Sequence, residues 1–220
     1  MRAGTAEAPP RAAAVWHAPA RRALDLVVAV GALVVLALPM LAIAVLIRLD
    51  SPGPALFRQE RVGLGSRRFT FLKFRTMHVG VSDAPLRALI RRELAGEDAS
   101  AAGSWKLEAD PRVTRVGALL RRTSLDELPQ LLNVLAGSMS IVGPRPCLDW
   151  EAELFPPAYA ARFAVPPGLT GLWQVSGRSR VGTLEMLELD LRYVRTRSLR
   201  GDLAILVRTI PALLGRNGAR

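Results

Sequence analysis

Residues 26–47 read LVVAVGALVVLALPMLAIAVLI, a run without one charged side chain. At about 1.5 Å of rise per residue, a helix of that length reaches about 33 Å, enough to cross the hydrocarbon core of a bilayer. A water-soluble fold rarely spends such a run on one element. The segment therefore predicts a membrane protein with a single insertion, the other residues working at the membrane surface. It is too long for the apolar core of a cleaved signal peptide. Arg21 and Arg22 precede the run, and Arg48, Arg58, Arg61, Arg67 and Arg68 follow it. Basic flanks stay cytoplasmic, and a straight crossing would put one of them outside. A helix that enters, bends and returns keeps both on one side. Pro39 lies past the middle of the run; it removes an i→i−4 hydrogen bond and predicts a kink there. In lipid the freed carbonyl must find another partner. The residues alone leave a second reading open, an ordinary spanning helix that tolerates its proline.

Outward from this run, the length of 220 residues suits one domain plus an anchor and a tail. The net charge is +11, from 30 Lys+Arg, and Lys73 and Lys106 are the only lysines. Arginine binds phosphate through a planar fork. A basic protein at a membrane meets anionic headgroups, phosphorylated substrates, or both. Nucleic acid is the competing partner; an aromatic content of 5% and the lack of a groove-reading or stacking motif argue against it. The single cysteine, Cys147, excludes an internal disulfide and fits a reducing compartment. His17 and His78 are too few for a histidine-rich metal site.

Residues 1–20, rich in Ala, Pro and Arg, read as a disordered tail, and 216–220 as a second tail. Asp50-Ser51-Pro52-Gly53-Pro54 turns the chain at the interface. Residues 55–77 predict a β-hairpin, with Gly63 and Gly65 between its arms. A short helix follows Asp83 and Pro85, with Leu86, Leu89, Ile90 and Leu94 on one face. Residues 95–103 read as loop. Asp110-Pro111 reads as an N-cap and first-turn proline for a helix carrying Val113, Val116, Leu119 and Leu120. Residues 138–146 are short and extended, and 156–182 predict a long loop. Residues 183–197 predict a helix with Leu184, Leu187 and Leu191 inward. A last helix over 199–215 either lies in the membrane interface or packs in a core.

Asp126 and Glu127 are adjacent, so on a helix they point about 100° apart and do not face each other as a dyad. Pro129 is tolerated only in a first turn, which starts a helix near 124–126, and Ser124-x-x-Glu127 matches a capping box. Either start sets both carboxylates at a helix N-terminus, where ionised forms are favoured. An ionised aspartate there can be a nucleophile or a metal ligand; plain capping is the bland alternative. Arg121 and Arg122 stand one turn before. In Gly143-Pro144-Arg145-Pro146 two prolines stiffen the chain around Arg145. Lys73 and Arg75 share one strand face in this reading. With Arg145 they form a candidate diphosphate clamp, surface charge on a turn being the alternative. Gly168, Gly171, Ser176 and Gly177 are candidates for close backbone approach to a ligand.

In chain order come Arg21-Arg22-Ala23-Leu24-Asp25, Pro52-Gly53-Pro54, Phe57-x-Gln59-x-Arg61-Val62-Gly63, Lys73-Phe74-Arg75-Thr76-Met77, DPRVTRVG, RRTSLDELPQLLNVLAGSMSIVGPRP and PGLTGLWQVSGRS. Together, over residues 20–214, they resemble the bacterial sugar transferases, the monotopic polyprenyl-phosphate phosphoglycosyl transferases, in their minimal catalytic form. The resemblance implies a UDP-sugar donor, a polyprenyl (undecaprenyl) phosphate acceptor and Mg²⁺. It implies Asp126 as nucleophile of a covalent phosphosugar intermediate with release of UMP. Glu127 becomes the second member of the catalytic pair, as metal ligand with Asp126 or as a base assisting the lipid phosphate. Lys73, Arg75, Arg121 and Arg145 fall on phosphate-binding positions. The implied fold is α+β and predominantly helical. It has a re-entrant membrane helix over 21–50, kinked at Pro39, and a catalytic domain over 51–215. A small β-hairpin and amphipathic interfacial helices surround a cytosolic active site. Its implied place is the cytoplasmic face of the bacterial inner membrane, both termini cytoplasmic, among membrane lipid and without nucleic acid; a homo-oligomer is left open. One departure stands out. Where the family often bends its helix with Ser-Pro, this chain has Leu38-Pro39, and leucine offers no hydroxyl to a freed carbonyl.

Remaining readings are a non-catalytic membrane adaptor and a membrane-tethered nucleic-acid binder. Neither needs an Asp-Glu pair followed by a proline-braced arginine.

Overall fold

A computed structural model describes residues 19–78, 84–95, 112–177 and 181–214. The second tail, the first tail except Pro19 and Ala20, the loop over 95–103 except its first residue, and the proposed cap at Asp110-Pro111 lie outside those residues. The described chain is predominantly helical with two small sheets. Its first element, α1 (Pro19–Asp50), is long and apolar enough to cross a membrane. The chain stays helical through Pro39.

Both ends of α1 are fastened to the rest of the molecule by the charged residues that bracket its apolar run. Near the start, Arg21 Nε donates to Asp202 at 2.9 Å. Arg22 donates to the carbonyls of Val134 and Leu135 at 2.7 and 2.8 Å. Asp25 accepts from the Ser140 hydroxyl and the Ile141 amide at 2.9 and 2.8 Å. At the far end Asp50 accepts from Val116 N at 3.0 Å. Between these clasps α1 buries Ala29 in one apolar cluster and Ile43 and Ile47 in another. Its outward side stays apolar and open: Val34, Val35 and Leu38 are 74–78% exposed.

The hairpin forms as expected. Strand β1 (Leu56–Val62) pairs antiparallel with β2 (Arg68–Phe74), from Leu56 opposite Phe74 to Val62 opposite Arg68. Gly65, at φ 62°, allows the tight connection. Helix α2 (Ala84–Leu94) follows. Helix α3 spans Arg115–Thr123; its N-cap is Thr114, whose hydroxyl accepts from Gly117 N at 3.0 Å. Val113 lies before the helix and bridges to Met77. Helix α4 (Gln130–Ala136) ends at Gly137 in the left-handed conformation. Strand β3 (Ser140–Val142) then runs to a short helix α5 (Asp149–Leu154).

The region expected as loop holds more structure than its Pro and Gly content implied. A 3-10 stretch, Pro157–Ala164, leads to β4 (Gly168–Thr170), which pairs parallel with β3. Helix α6 (Leu172–Ser176) follows. Helix α7 (Thr183–Thr196) buries Leu187 and Leu191, but Leu184 is 39% exposed. Its first amide is capped from α2, where Glu93 accepts from Thr183 N at 3.0 Å. Helix α8 (Leu199–Leu214) closes the described chain. The main core joins Phe71, Leu131, Val134, Ile141, Tyr193 and Ile205, with contributions from hairpin, helices and β3.

Asn133 sets the relation between α4 and the hairpin. Its Oδ1 accepts from Leu72 N at 3.0 Å and its Nδ2 donates to Thr70 O at 2.7 Å, as a neighbouring strand would. Asn133→Ala leaves both β2 groups without these partners. It is expected to cost about 2 kcal/mol, read as a lower urea midpoint at unchanged slope.

Candidate active site

The turn that carries the carboxylate pair differs from the expected one. Helix α3 ends at Thr123, and Ser124 adopts the left-handed conformation at φ 57° as its C-cap. A residue so placed cannot also take the extended backbone of an N-cap, so the capping box with Glu127 does not form. Asp126 and Glu127 sit instead in a 3-10 turn, Leu125–Glu127, and Pro129 is the N-cap of α4 rather than its first-turn residue. The pair thus lies one turn outside α4. Its positive surroundings come from side chains more than from the helix end. Leu125 and Leu128 anchor the turn in the two apolar clusters, leaving Asp126 8% exposed and Glu127 at the surface.

Lys73, on β2, is one expected partner brought to the pair. Burial pushes its ammonium down; the Asp126 carboxylate pulls it back up, Arg61 and Arg121 push it down further, and Glu127 pulls up. That balance describes one group of charges: two carboxylates, one ammonium and two guanidiniums. Arg121 reaches it from the last turn of α3.

Arg145 is presented as the sequence implied, exposed between two buried prolines. The brace is more complete than two prolines alone. Pro144 O accepts from Gly168 N at 2.8 Å, and Arg145 O from Arg162 Nη2 at 2.9 Å. Pro146 O accepts from Arg61 Nη1 at 2.9 Å, and Cys147 O from Val62 N at 2.8 Å. Four successive carbonyls are held, so the loop has little freedom left to lose on binding an anion. The Arg145 guanidinium lies 5.8 Å from the centre of the Trp173 ring.

Two residues the sequence reading did not place in the site act through this loop. Arg61, buried on β1, stacks on Phe71 and is flanked by Glu151 at 3.9 Å. Burial pushes its guanidinium down to about 10, and the neighbouring Arg145 adds to the shift. Arg162, almost fully buried, pairs with Asp190 at 2.7 Å while holding the Arg145 carbonyl. Burial pushes the Asp190 carboxyl up to about 6, against the pull of Arg162. The signal for Arg61 was its place two residues after Gln59, whose Oε1 accepts from it at 2.9 Å. Arg162 carried no local signal.

Two expectations are corrected. Arg75 follows β2 rather than belonging to it, and it does not join Lys73. Its guanidinium is buried and donates to the carbonyls of Ile47 at 3.3 Å, Ser51 at 2.7 Å and Pro52, so it caps the C-terminal end of α1. Gly168 and Gly171 make a close approach to backbone, not to a ligand. A Cβ on Gly168 would stand 2.0 Å from Gly143 N, and one on Gly171 would stand 2.3 Å from Gly143 O. The glycines let β4 and the start of α6 press against the base of the Arg145 loop. Pro39, the expected kink, is on the exposed side of α1 and far in sequence from any of these groups.

Among the described residues no three His, Cys, Asp or Glu side chains gather in a metal-binding group. The Asp126–Glu127 pair still fits magnesium, which commonly takes one or two carboxylates and completes its shell with water and substrate phosphate.

Comparison with known proteins places the sequence among relatives. The profile of the family described as bacterial sugar transferase matches residues 16–216. A UDP-glucose:undecaprenyl-phosphate glucose-1-phosphate transferase of Caulobacter vibrioides is 47% identical over 90% of this chain and 71% of its own length. An exopolysaccharide production protein of Rhizobium meliloti, ExoY, is 41% identical over 91% of this chain and 88% of its own. An undecaprenyl-phosphate galactose phosphotransferase of Salmonella typhimurium is 38% identical over 90% of this chain, which spans only 41% of that protein. A carboxylate pair among cations, a braced arginine loop and a match over nearly the whole chain lead to one assignment: this chain belongs to the bacterial sugar transferase family.

Proposed function

We propose that this chain transfers a sugar 1-phosphate from a UDP-sugar to polyprenyl (undecaprenyl) phosphate, a first membrane step of exopolysaccharide-type glycan assembly. The observation that carries the reading is the gathering of Lys73, Arg61 and Arg121 around Asp126 and Glu127. The names of the relatives support the substrates.

The chemistry divides into two displacements at one phosphorus. The Asp126 carboxylate attacks the sugar-bearing phosphorus of the donor, and the bond to the bridging diphosphate oxygen breaks. UMP leaves with that electron pair, and an aspartyl-phosphosugar remains. An oxygen of the lipid phosphate then attacks the same phosphorus, the acyl-phosphate bond breaks, and the Asp126 carboxylate is restored. Phosphoryl transfer is mostly positioning and charge stabilisation. Lys73 and Arg121 offset charge on the transferred group, and Arg145 holds the diphosphate on a loop already fixed. Glu127 assists the lipid phosphate or helps hold the metal. Mg²⁺ held by Asp126 and Glu127 would offset negative charge on the diphosphate.

The acceptor's phosphate lies at the headgroup plane, so the site must stand there too. Its place is the cytoplasmic face of the inner membrane. We read α1 as re-entrant because both of its ends are clasped by one folded body while the residues around Pro39 point away from it. A helix that crossed the bilayer would have to carry one clasp to the far side. Pro39 then marks the deepest point. The exposed apolar side of α8 joins α1 at the interface.

Turnover is tested by UMP release across a panel of UDP-sugars with undecaprenyl phosphate and Mg²⁺. Release that requires both lipid and one donor supports the proposal; none with any donor contradicts it. For the membrane placement, single cysteines at each end of the chain, in a background lacking Cys147, are expected to react only from the cytoplasmic side. Labelling of the two ends from opposite sides would rule out re-entry.

A further inference from the structure

On the inward face of the hairpin, Phe57, Gln59 and Arg61 alternate along β1, with Lys73, Phe71 and Phe69 opposite them on β2. Two contacts show that these side chains share that face. Lys73 Nζ lies 5.6 Å from the centre of the Phe57 ring, and the Arg61 guanidinium lies 5.0 Å from that of Phe71. Gln59 therefore stands between two cations of the site. On one side is Lys73, beside Asp126; on the other is Arg61, which holds the Arg145 loop at Pro146 O. Each neighbouring position on this face is two residues along the strand, about 7 Å. The charge of Glu127 acts on both Lys73 and Arg61, so it lies across the same ground.

The direction of the Gln59 amide follows from what an arginine can do. Arg61 Nη2 meets the amide oxygen, Oε1, at 2.9 Å, and a guanidinium only donates, so the arm turned to it is the carbonyl. The NH₂ is thereby fixed on the other arm. Among the described residues it has no hydrogen-bond partner, and Gln59 is only half-buried, so both N–H groups are open to a ligand. Donors set between an ammonium and guanidiniums suit an anion that only accepts, and a diphosphate is one. The geometry points to Gln59 as a further substrate-binding residue: its NH₂ donates to a diphosphate oxygen of the UDP-sugar while its carbonyl keeps Arg61 in place. This assignment deepens the proposed function and rests on it.

Gln59→Glu separates the two arms of the amide. A carboxylate still accepts from Arg61, but it sets an anion against the diphosphate where the NH₂ stood. Gln59→Ala removes both arms. The measurement is UDP binding with Mg²⁺, by titration calorimetry on the full chain in detergent; UDP carries no sugar, so a loss lies off the sugar. Gln59→Glu is expected to weaken binding on the order of 100-fold and Gln59→Ala about tenfold. The urea midpoint of Gln59→Glu should be no lower than that of the parent. Arg58→Glu puts a carboxylate on the next position of β1, exposed and on the outward face, and should leave UDP binding within about twofold. The assignment is overturned if Gln59→Glu binds UDP like the parent, or if Arg58→Glu loses as much. It is also overturned if Gln59→Ala is the weaker of the two, which would make Gln59 an anchor for Arg61 alone. Should Gln59→Ala not fold, the two glutamate variants decide. A parent that binds UDP no better than Gln59→Glu does, yet turns over, leaves the proposed function standing without this residue; a parent that binds no UDP sinks both.

Discussion

Asp126→Asn is expected to abolish turnover, a loss of about 10⁴-fold or more, while the protein still folds. The substitution keeps the shape of the side chain and removes the anionic oxygen that must attack phosphorus. Nothing nearby replaces it. Glu127, the next residue on the turn, is exposed, whereas Asp126 is buried beside Lys73. The variant also withdraws the charge that best offsets Lys73, so donor binding should weaken as well. Both effects are read from UMP release at saturating and limiting UDP-sugar, with circular dichroism to confirm the fold.

Arg162→Ala is expected to cost about 3–5 kcal/mol and most of the activity. It leaves Asp190 buried without its guanidinium partner and frees the Arg145 carbonyl. The pH response separates this cause from simple loss of packing. A carboxyl whose folded value lies above its unfolded value contributes stability that is fully present at low pH and lost as pH rises through the folded value. In the parent that window runs from the ordinary carboxylate range to about 6. Without Arg162 the upward push is unopposed and the window extends higher. The deficit of the variant should therefore shrink at pH 5 and widen at pH 8. A deficit constant across that range would point to lost packing alone.

What the sequence made legible follows from how local each signal is. An uncharged apolar run, a hairpin of alternating aromatics around two glycines, and an arginine between two prolines all act within a few residues, and each appears where it was expected. The turn at Asp126 was half legible. Ser124-x-x-Glu127 carried a real capping pattern, but Ser124 was already needed to end α3, and one residue cannot hold both backbone conformations. Arg75 was misread for a related reason. An arginine beside a strand lysine resembles a phosphate clamp, and only the fold brings the carbonyl end of α1 to it. Arg162 and Asp190 stand 28 residues apart and meet a third segment at Arg145, a convergence no spacing rule reports. The parallel pairing of β3 and β4 was hidden similarly: its strands are short, and the glycines that permit it also read as loop.

The central claim is that Asp126 carries the sugar phosphate in the course of each turnover. The most direct measurement gives the purified chain its UDP-sugar and Mg²⁺ without lipid acceptor, then takes the intact mass and maps the modified peptide. The account predicts one phosphosugar added per chain, located on Asp126, lost when polyprenyl phosphate is supplied, and absent from Asp126→Asn. Full turnover by Asp126→Asn, or an adduct on another residue that the acceptor discharges, would contradict it.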